Sequence, residues 1–394
     1  ARSLVHLVMN RWDVPEFALR PYYSTGSVKG GCVCNYLWNF GEIWEILPLL
    51  DPAATKAHIK HFLACDLQQH FAFDPVSGEA FGPWYMVNQE KIIGLIYFYE
   101  LITGDRAFLA EKVGDKTIAE HVVEQALAKD DLAKPAAPID YGPSNSHLEL
   151  RKQWQYNHVM PDLNGRRYEN LTRAAAIAAW ADTPLPELLT HAEEVRAALE
   201  TLWDPQAKWY AFLNEKGERE LRYTMQIFKL FNSPVLSAER VDDLLTHFNE
   251  REFFSAQGMH SMSKLDPAYD QVDIDNGGGG ACTSFPPQIA ERLYKLGKTA
   301  EADDILRRIL WWGERMPYWG DSIVANDIAY RKDTPLQCTI DGAAAAQCMI
   351  FGLLGISAGY DGRLVANPHK SSLFTQASLN LPWQGKMQRI EVRP

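Results

Sequence analysis

The chain has 394 residues, 46% hydrophobic and 23% charged, with 39 Lys+Arg against 50 Asp+Glu and a formal net charge of −11. That composition supports a large buried core and excludes a disordered chain. The acidic balance, without a basic run, argues against a nucleic-acid or anionic-membrane partner. No apolar stretch approaches the roughly 18 uncharged residues of a membrane span. Six cysteines are too few for a disulfide scaffold. With an opening segment that lacks signal-peptide features, they lean the expectation toward the cytoplasm. No Cys/His spacing suggests a metal, and no cofactor is expected.

Apolar residues recur at three- and four-residue spacing, which predicts about a dozen helices. In chain order they cover 3–12, 40–50, 53–70, 85–102, 106–130, 168–181, 185–203, 223–232, 237–249, 284–296, 299–314 and 339–356. Asp51-Pro52 and Ser237 open helices, and Gly297 closes one. Strand patterning is scarce and appears mainly near the C-terminus, at Arg363–Val365 and Met387–Val392. Short turns join helices within pairs. Long Gly-, Pro- and aromatic-rich loops join one pair to the next, at 13–38, 71–84, 132–167, 204–222, 251–283 and 315–338. Six hairpins with the long loops always at the same step predict an all-α (α/α)6 toroid over 1–360, with a short-stranded extension over 361–394. An open solenoid is the competing layout. Long loops inside a compact domain are usually functional, and six on one rim build one concave site.

The loop 139–171 carries Asp140, Glu149, Asp162 and Glu169 among Trp154, Tyr156 and His158. Glycoside hydrolysis uses two carboxyl groups across a sugar ring, with aromatic faces for its C–H side. The proton donor needs a raised pKa, which dry aromatic surroundings supply. Asp140 and Glu149 are the candidates for that acid. Asp162 competes as a helix cap and Glu169 as a salt-bridge partner. A base that activates water must face the acid from a distant loop. Asp321 and Asp327, after Trp319 and before Arg331, fit that requirement. Trp38, Asn39, Trp84, Trp154, Tyr156, His158, Asp162, His260, Trp319 and Arg331 are candidate substrate contacts; Trp44, at helical spacing, reads as core. Gly277–Gly280 would let backbone approach a ligand closely. Asp273 and Asp275, beside them, lack EF-hand spacing.

Three ordered segments resemble the six-hairpin glycosidases of the trehalase and processing α-glucosidase group. HVMPDLNGRRYENLTRAAAIAAWA is similar to the segment that opens an inner helix there, LWDPQAKWYAF to the turn after an outer helix, and GMHSMSKLDPAYD to the Gly-Pro-Ser segment before the next inner helix. Gly355–Pro368 looks like the exit from such a barrel. The family's Gly-Trp-Asp acid motif is replaced by Asp140-Tyr-Gly-Pro-Ser-Asn-Ser-His-Leu-Glu149. The resemblance implies an inverting exo-glycosidase acting on an α-linked glucoside or similar small sugar, with a carbohydrate as its partner. A polysaccharide lyase, using Tyr156, His158, Arg166 and Arg331, is the alternative, followed by a carbohydrate-binding toroid without activity.

Overall fold

The computed structural model describes residues 2–25, 35–132, 137–143, 156–271, 277–315, 322–324, 339–358 and 362–394. Glu149, Trp154, Asp273, Asp275, Trp319, Asp321, Asp327 and Arg331 lie outside the described residues. The helices are α1 (Arg2–Met9), α2 (Leu37–Glu42), α3 (Ile46–Leu50), α4 (Pro52–Ala64), α5 (Asn88–Thr103), α6 (Ile118–Leu127), α7 (Pro161–Trp180), α8 (Glu187–Glu200), α9 (Ala238–Leu245), α10 (Phe285–Lys295), α11 (Thr299–Arg315) and α12 (Ala343–Gln347). A 3-10 segment, Met225–Leu230, and a π-helical turn, Cys348–Leu353, complete the helical set.

Local chemistry sets these boundaries. Asp51 caps α4 by accepting from the Ala54 N–H, with Pro52 in the first turn. Thr117 and Glu120 form a capping box at α6. Gly104, at φ 69°, ends α5 in the left-handed region. The expected helix over 106–130 divides in three: a 3-10 turn at Arg106–Ala110, a hairpin pairing Lys112 with Thr117, and then α6. Asp115-Lys116 follow Gly114, whose positive φ of 64° makes the hairpin turn and interrupts the helical period. The expected helix 53–70 ends at Ala64, where Cys65 turns to extended backbone.

Six inner segments pack in sequence: α2–α3, α5, α7, Met225–Leu230, α10, and α12 with its π turn. Each contacts the next, and α12 contacts α3, so the circuit closes. Outside it, α4 lies on α3 and α5, α6 on α5 and α7, α8 on α7, and α11 on α10. The N-terminal α1 packs on α12, so the first helix covers the last inner one. One apolar core runs through all of these elements. At the C-terminus two strands, Ala377–Trp383 and Lys386–Val392, form a hairpin; its first strand, with Trp383 buried, packs on α3.

The long connections all enter inner segments at their N-terminal ends, and they are stitched to one another. Asn35-Tyr36 pairs with Ala72-Phe73, Val159 bridges Leu213, Thr224 bridges Met262, and Gly280–Cys282 pairs with Ser322–Val324. The N-terminal ends of the six segments therefore gather on one face. No described helix is long and apolar enough to cross a membrane.

Candidate active site

Residues three or four apart on a helix share a face. On α2, Glu42 reaches two other inner segments: its Oε1 lies 2.7 Å from Lys91 Nζ of α5 and 3.3 Å from Lys229 Nζ of the 3-10 segment. Glu42 therefore points into the ring. On α7, Arg166 does the same, donating to Glu90 at 2.8 Å and to Gln226 at 2.6 Å. Lys91 also lies 3.3 Å from Glu90. These five charged side chains are at most 4% exposed and form a hub across the ring interior.

The hub depends on a small residue. Gly41 faces the stem of Lys91, and a Cβ there would overlap its Cβ, Cγ and Cδ. Lys229 lies 3.6 Å from the centre of the Phe285 ring, which gives the ammonium a second partner. Burial raises the Glu90 pKa, but Arg166, Lys91 and Lys229 outweigh it and hold the carboxyl well below the usual range. With Asp162, 3.5 Å from Arg166, three acids (Glu42, Glu90, Asp162) face three bases (Lys91, Arg166, Lys229).

One helical turn nearer the gathered N-terminal ends stands a second tier. Asn39 lies three residues before Glu42, and Asp162 four before Arg166, so both share the inward faces of their helices. Asn39 Nδ2 donates to Asp341 Oδ1 at 2.8 Å, joining α2 to the 3-10 turn Thr339–Gly342 that leads into α12. Asp341, fully buried, also has Cys282 Sγ 3.7 Å from its Oδ2. Asp162 accepts from the Tyr156 hydroxyl at 2.6 Å. Burial, then the Asp162 charge, pushes the Tyr156 pKa well up. Trp38 packs edge-on against Phe285, their centroids 5.9 Å apart.

The sequence-derived candidates divide accordingly. Asn39, Tyr156 and Asp162 join this tier. Asp162 is not a cap: α7 begins at Pro161 with Met160 as its cap residue, and Asp162 sits inside the first turn, where the helix dipole favours its charge. Glu169 is an ion-pair partner, 2.8 Å from Arg292 and 2.9 Å from Arg173. Asp140 stands apart, its side chain 58% exposed, beside His158 Nδ1 at 3.0 Å and the Gly142 N–H at 2.7 Å. Trp84 donates to Gln89, and Lys129 covers its ring at 4.1 Å. His260 is buried within its own loop, 2.5 Å from Ser255 Oγ and 3.1 Å from the Gly278 carbonyl. The glycine run is crowded by protein rather than open to a ligand. A Cβ at Gly278 would meet the Tyr269 ring, and one at Gly279 the Gln271 carbonyl.

Sequence reading passed over Asp341, Glu42, Glu90, Lys91 and Lys229 as inward-facing groups. The signal was present: Glu90-Lys91 opens an otherwise apolar helix, and Asp341 precedes a run of alanines. Charges embedded in such surroundings are seldom buried unless paired. Among the described residues, no three His, Cys, Asp or Glu side chains gather as a metal cluster.

No family model and no curated protein matches the chain. Solved structures do. One described as a sialidase superposes with a TM-score of 0.72 at 12% identity, covering 99% of this chain and 36% of that one. A GH63 mannosylglycerate hydrolase from Thermus thermophilus, in complex with glucose, gives 0.55 at 13% identity, covering 88% and 99%. A GH78 rhamnosidase from a Bacillus species gives 0.57 at 14%, covering 91% and 39%. The chain thus spans little more than a third of the sialidase and rhamnosidase chains, and nearly the whole of the GH63 enzyme. At these identities the likeness is one of fold: the chain has the fold found in these glycoside hydrolase structures.

Proposed function

We propose that the chain is a glycoside hydrolase built on an (α/α)6 toroid, removing an α-linked glucose or similar small sugar from a chain end with inversion. The observation that carries this reading is the convergence of six inner N-terminal ends on a tier of buried polar groups, Asn39, Asp162 and Asp341, ringed by long loops. A buried tier of carboxylates and amides suits sugar hydroxyls, which need both donors and acceptors. The fold shared with known glycoside hydrolases supports the same reading.

In this reading the general acid comes from the loop before α7, as Asp140 or Glu149. The base comes from the loop before α12, as Asp321 or Asp327. In this reading α7 and α12 stand third and sixth in the circuit of six, across the ring from each other, so the acid can protonate the leaving oxygen while the base takes a proton from water on the opposite face. Carboxyl groups about 6.5–9.5 Å apart leave room for that water. Asp140 is open to solvent and lacks the dry surroundings of a proton donor, which favours Glu149 for that role. The lyase alternative is disfavoured by the geometry: the Tyr156 hydroxyl is bonded to Asp162, and Arg166 to Glu90 and Gln226.

The test is a screen of 4-nitrophenyl glycosides, followed by proton NMR of the first product. We expect the anomer opposite to the substrate, and loss of turnover in Glu149→Gln beyond that in Asp140→Asn. A retained anomer would overturn the inverting mechanism. An unsaturated, ultraviolet-absorbing product would replace the hydrolase reading with a lyase.

A further inference from the structure

A second polar space lies in the wall of the ring, between two inner helices and the outer helix that spans them. α5 packs on α7, and α6 lies on both. On α7, Arg167 and Asn170 stand three residues apart and line this cleft together. Gln125 of α6, and Lys129 just after it, form the facing wall. The cleft holds about 390 Å³ of empty space, its mouth included. Gln125 and Lys129 also line a wider surface cleft beside residues 65–69, so solvent reaches the two spaces at these side chains.

The polar groups of this cleft are incompletely matched. Arg167 Nε and Asn170 Oδ1 have no hydrogen-bond partner among the described residues, and each residue is only 7% exposed. Buried polar groups are seldom left so. The charges are also unequal. Arg166 faces Glu90 and Asp162, and Arg167 faces Asp130. Lys129 makes no ion pair among the described residues; its ammonium lies over the Trp84 ring, 4.1 Å from the centre, and burial lowers its pKa. Glu90, the acid on the cleft wall, is already held by Arg166 and Lys91.

The cleft therefore lacks one negative charge, one acceptor for Arg167 and one partner for Asn170. We propose that it binds a small hydroxycarboxylate, its carboxylate facing Lys129 Nζ and Arg167 Nε and its hydroxyl facing the Asn170 amide. One carboxylate supplies a single negative charge and two acceptor oxygens. A hydroxyl donates or accepts, so it suits the Asn170 amide in either flip. An amino acid would bring a further cation beside Lys129 and Arg167, and a dianion would exceed the unpaired charge. The site is lateral to the tier of Asn39, Asp162 and Asp341, and it stands whether or not the chain cleaves glycosides.

Titration calorimetry of the whole chain with glycolate, acetate, glycolamide and inorganic phosphate tests this. We expect saturable one-to-one binding of glycolate, binding of acetate weaker by about tenfold, and no saturation with glycolamide or phosphate. Lys129→Met keeps an apolar stem against Trp84 and removes the charge; it should weaken glycolate about tenfold or more. Asn170→Ala should bring glycolate down to the affinity of acetate and leave acetate unchanged, a pattern that a general folding defect does not produce. Thermal unfolding of each variant checks its fold, and the ligand series on the unaltered protein needs no substitution at all. Absence of saturable glycolate binding to the unaltered protein means that the cleft holds water only and overturns the proposal. Phosphate binding more tightly than glycolate overturns it too, as does unchanged glycolate affinity in a folded Lys129→Met protein.

Discussion

Lys91→Met tests whether the hub beneath the site is a closed set of paired charges. The methionine retains most of the stem that lies along Gly41, so packing changes little. What is lost is the ammonium, 2.7 Å from Glu42 and 3.3 Å from Glu90. Glu90 keeps Arg166, but Glu42 keeps, among the described residues, Lys229 alone as a cationic partner, at 3.3 Å. Removing one partner of a buried pair costs about 3–5 kcal/mol, because the other charge stays buried and undercompensated. Unfolding entropy near 2.1 cal/mol/K per residue gives about 0.8 kcal/mol/K for 394 residues, so about 4 kcal/mol lowers Tm by about 5 °C. Glu42→Gln removes the charge that Lys91→Met strands, so the double variant should be more stable than the sum of the single losses implies. Calorimetry on the four proteins checks this. A Lys91→Met protein within about 0.5 kcal/mol of the parent, or strict additivity in the double variant, would refute the reasoning.

Gly41→Ala drives a methyl into the Lys91 stem, and overpacking of this kind costs about 1–3 kcal/mol; urea unfolding should show it, and Lys91→Ala in the same chain should relieve it. His58 is fully buried, donates from Nδ1 to the Ala54 carbonyl and accepts at Nε2 from the Tyr23 N–H, and burial lowers its pKa to about 4. A depressed folded pKa means that stability is present above the unfolded value near 6.5 and is lost as pH falls from there toward about 4; acid unfolding should steepen in that window, and His58→Gln should flatten it. Burial, then the neighbouring Glu291, raises the Glu45 pKa well above its ordinary 4.5. Here the folded state holds the extra proton, so stability falls as pH rises from 4.5 through the folded pKa, and Glu45→Gln should remove that decline from a Tm-versus-pH series.

The fold was readable because its determinants are local. Three-residue periodicity, the Asp51-Pro52 start and the Ser237 cap mark helices whatever surrounds them. Where the reading slipped, tertiary packing decided. The apolar stretch around Met225–Leu230 has a helical period but is held as a tight 3-10 segment, with the Thr224 side chain accepting from the Gln226 N–H at its start. The stretch ending at Leu353 widens into a π turn against α10. Several hairpins in the loops carry two-residue strands, too brief for any alternation to register, whereas the five-residue strand Trp209–Leu213 is buried along nearly its whole length and so shows no alternation either.

The site was readable only in part, for a different reason. An exposed and a buried carboxylate look alike in a sequence. Asp140 and Asp162 stand in one loop-to-helix passage, yet one is largely open to water and the other is sealed against Tyr156 and Arg166. What separates them is helical phase: Asp162 shares a face with Arg166, and Arg166 is drawn inward by partners on α5 and the 3-10 segment. The same phase argument places Asn39 above Glu42. A reading that first asked which charges interrupt apolar helices, and then counted back one turn toward the long loop, would have moved from Glu42 to Asn39 and from Arg166 to Asp162. The hub and the tier above it are therefore one design. Paired charges from α2, α5, α7 and the 3-10 segment tie these elements together, and the next turn of α2 and of α7 carries Asn39 and Asp162.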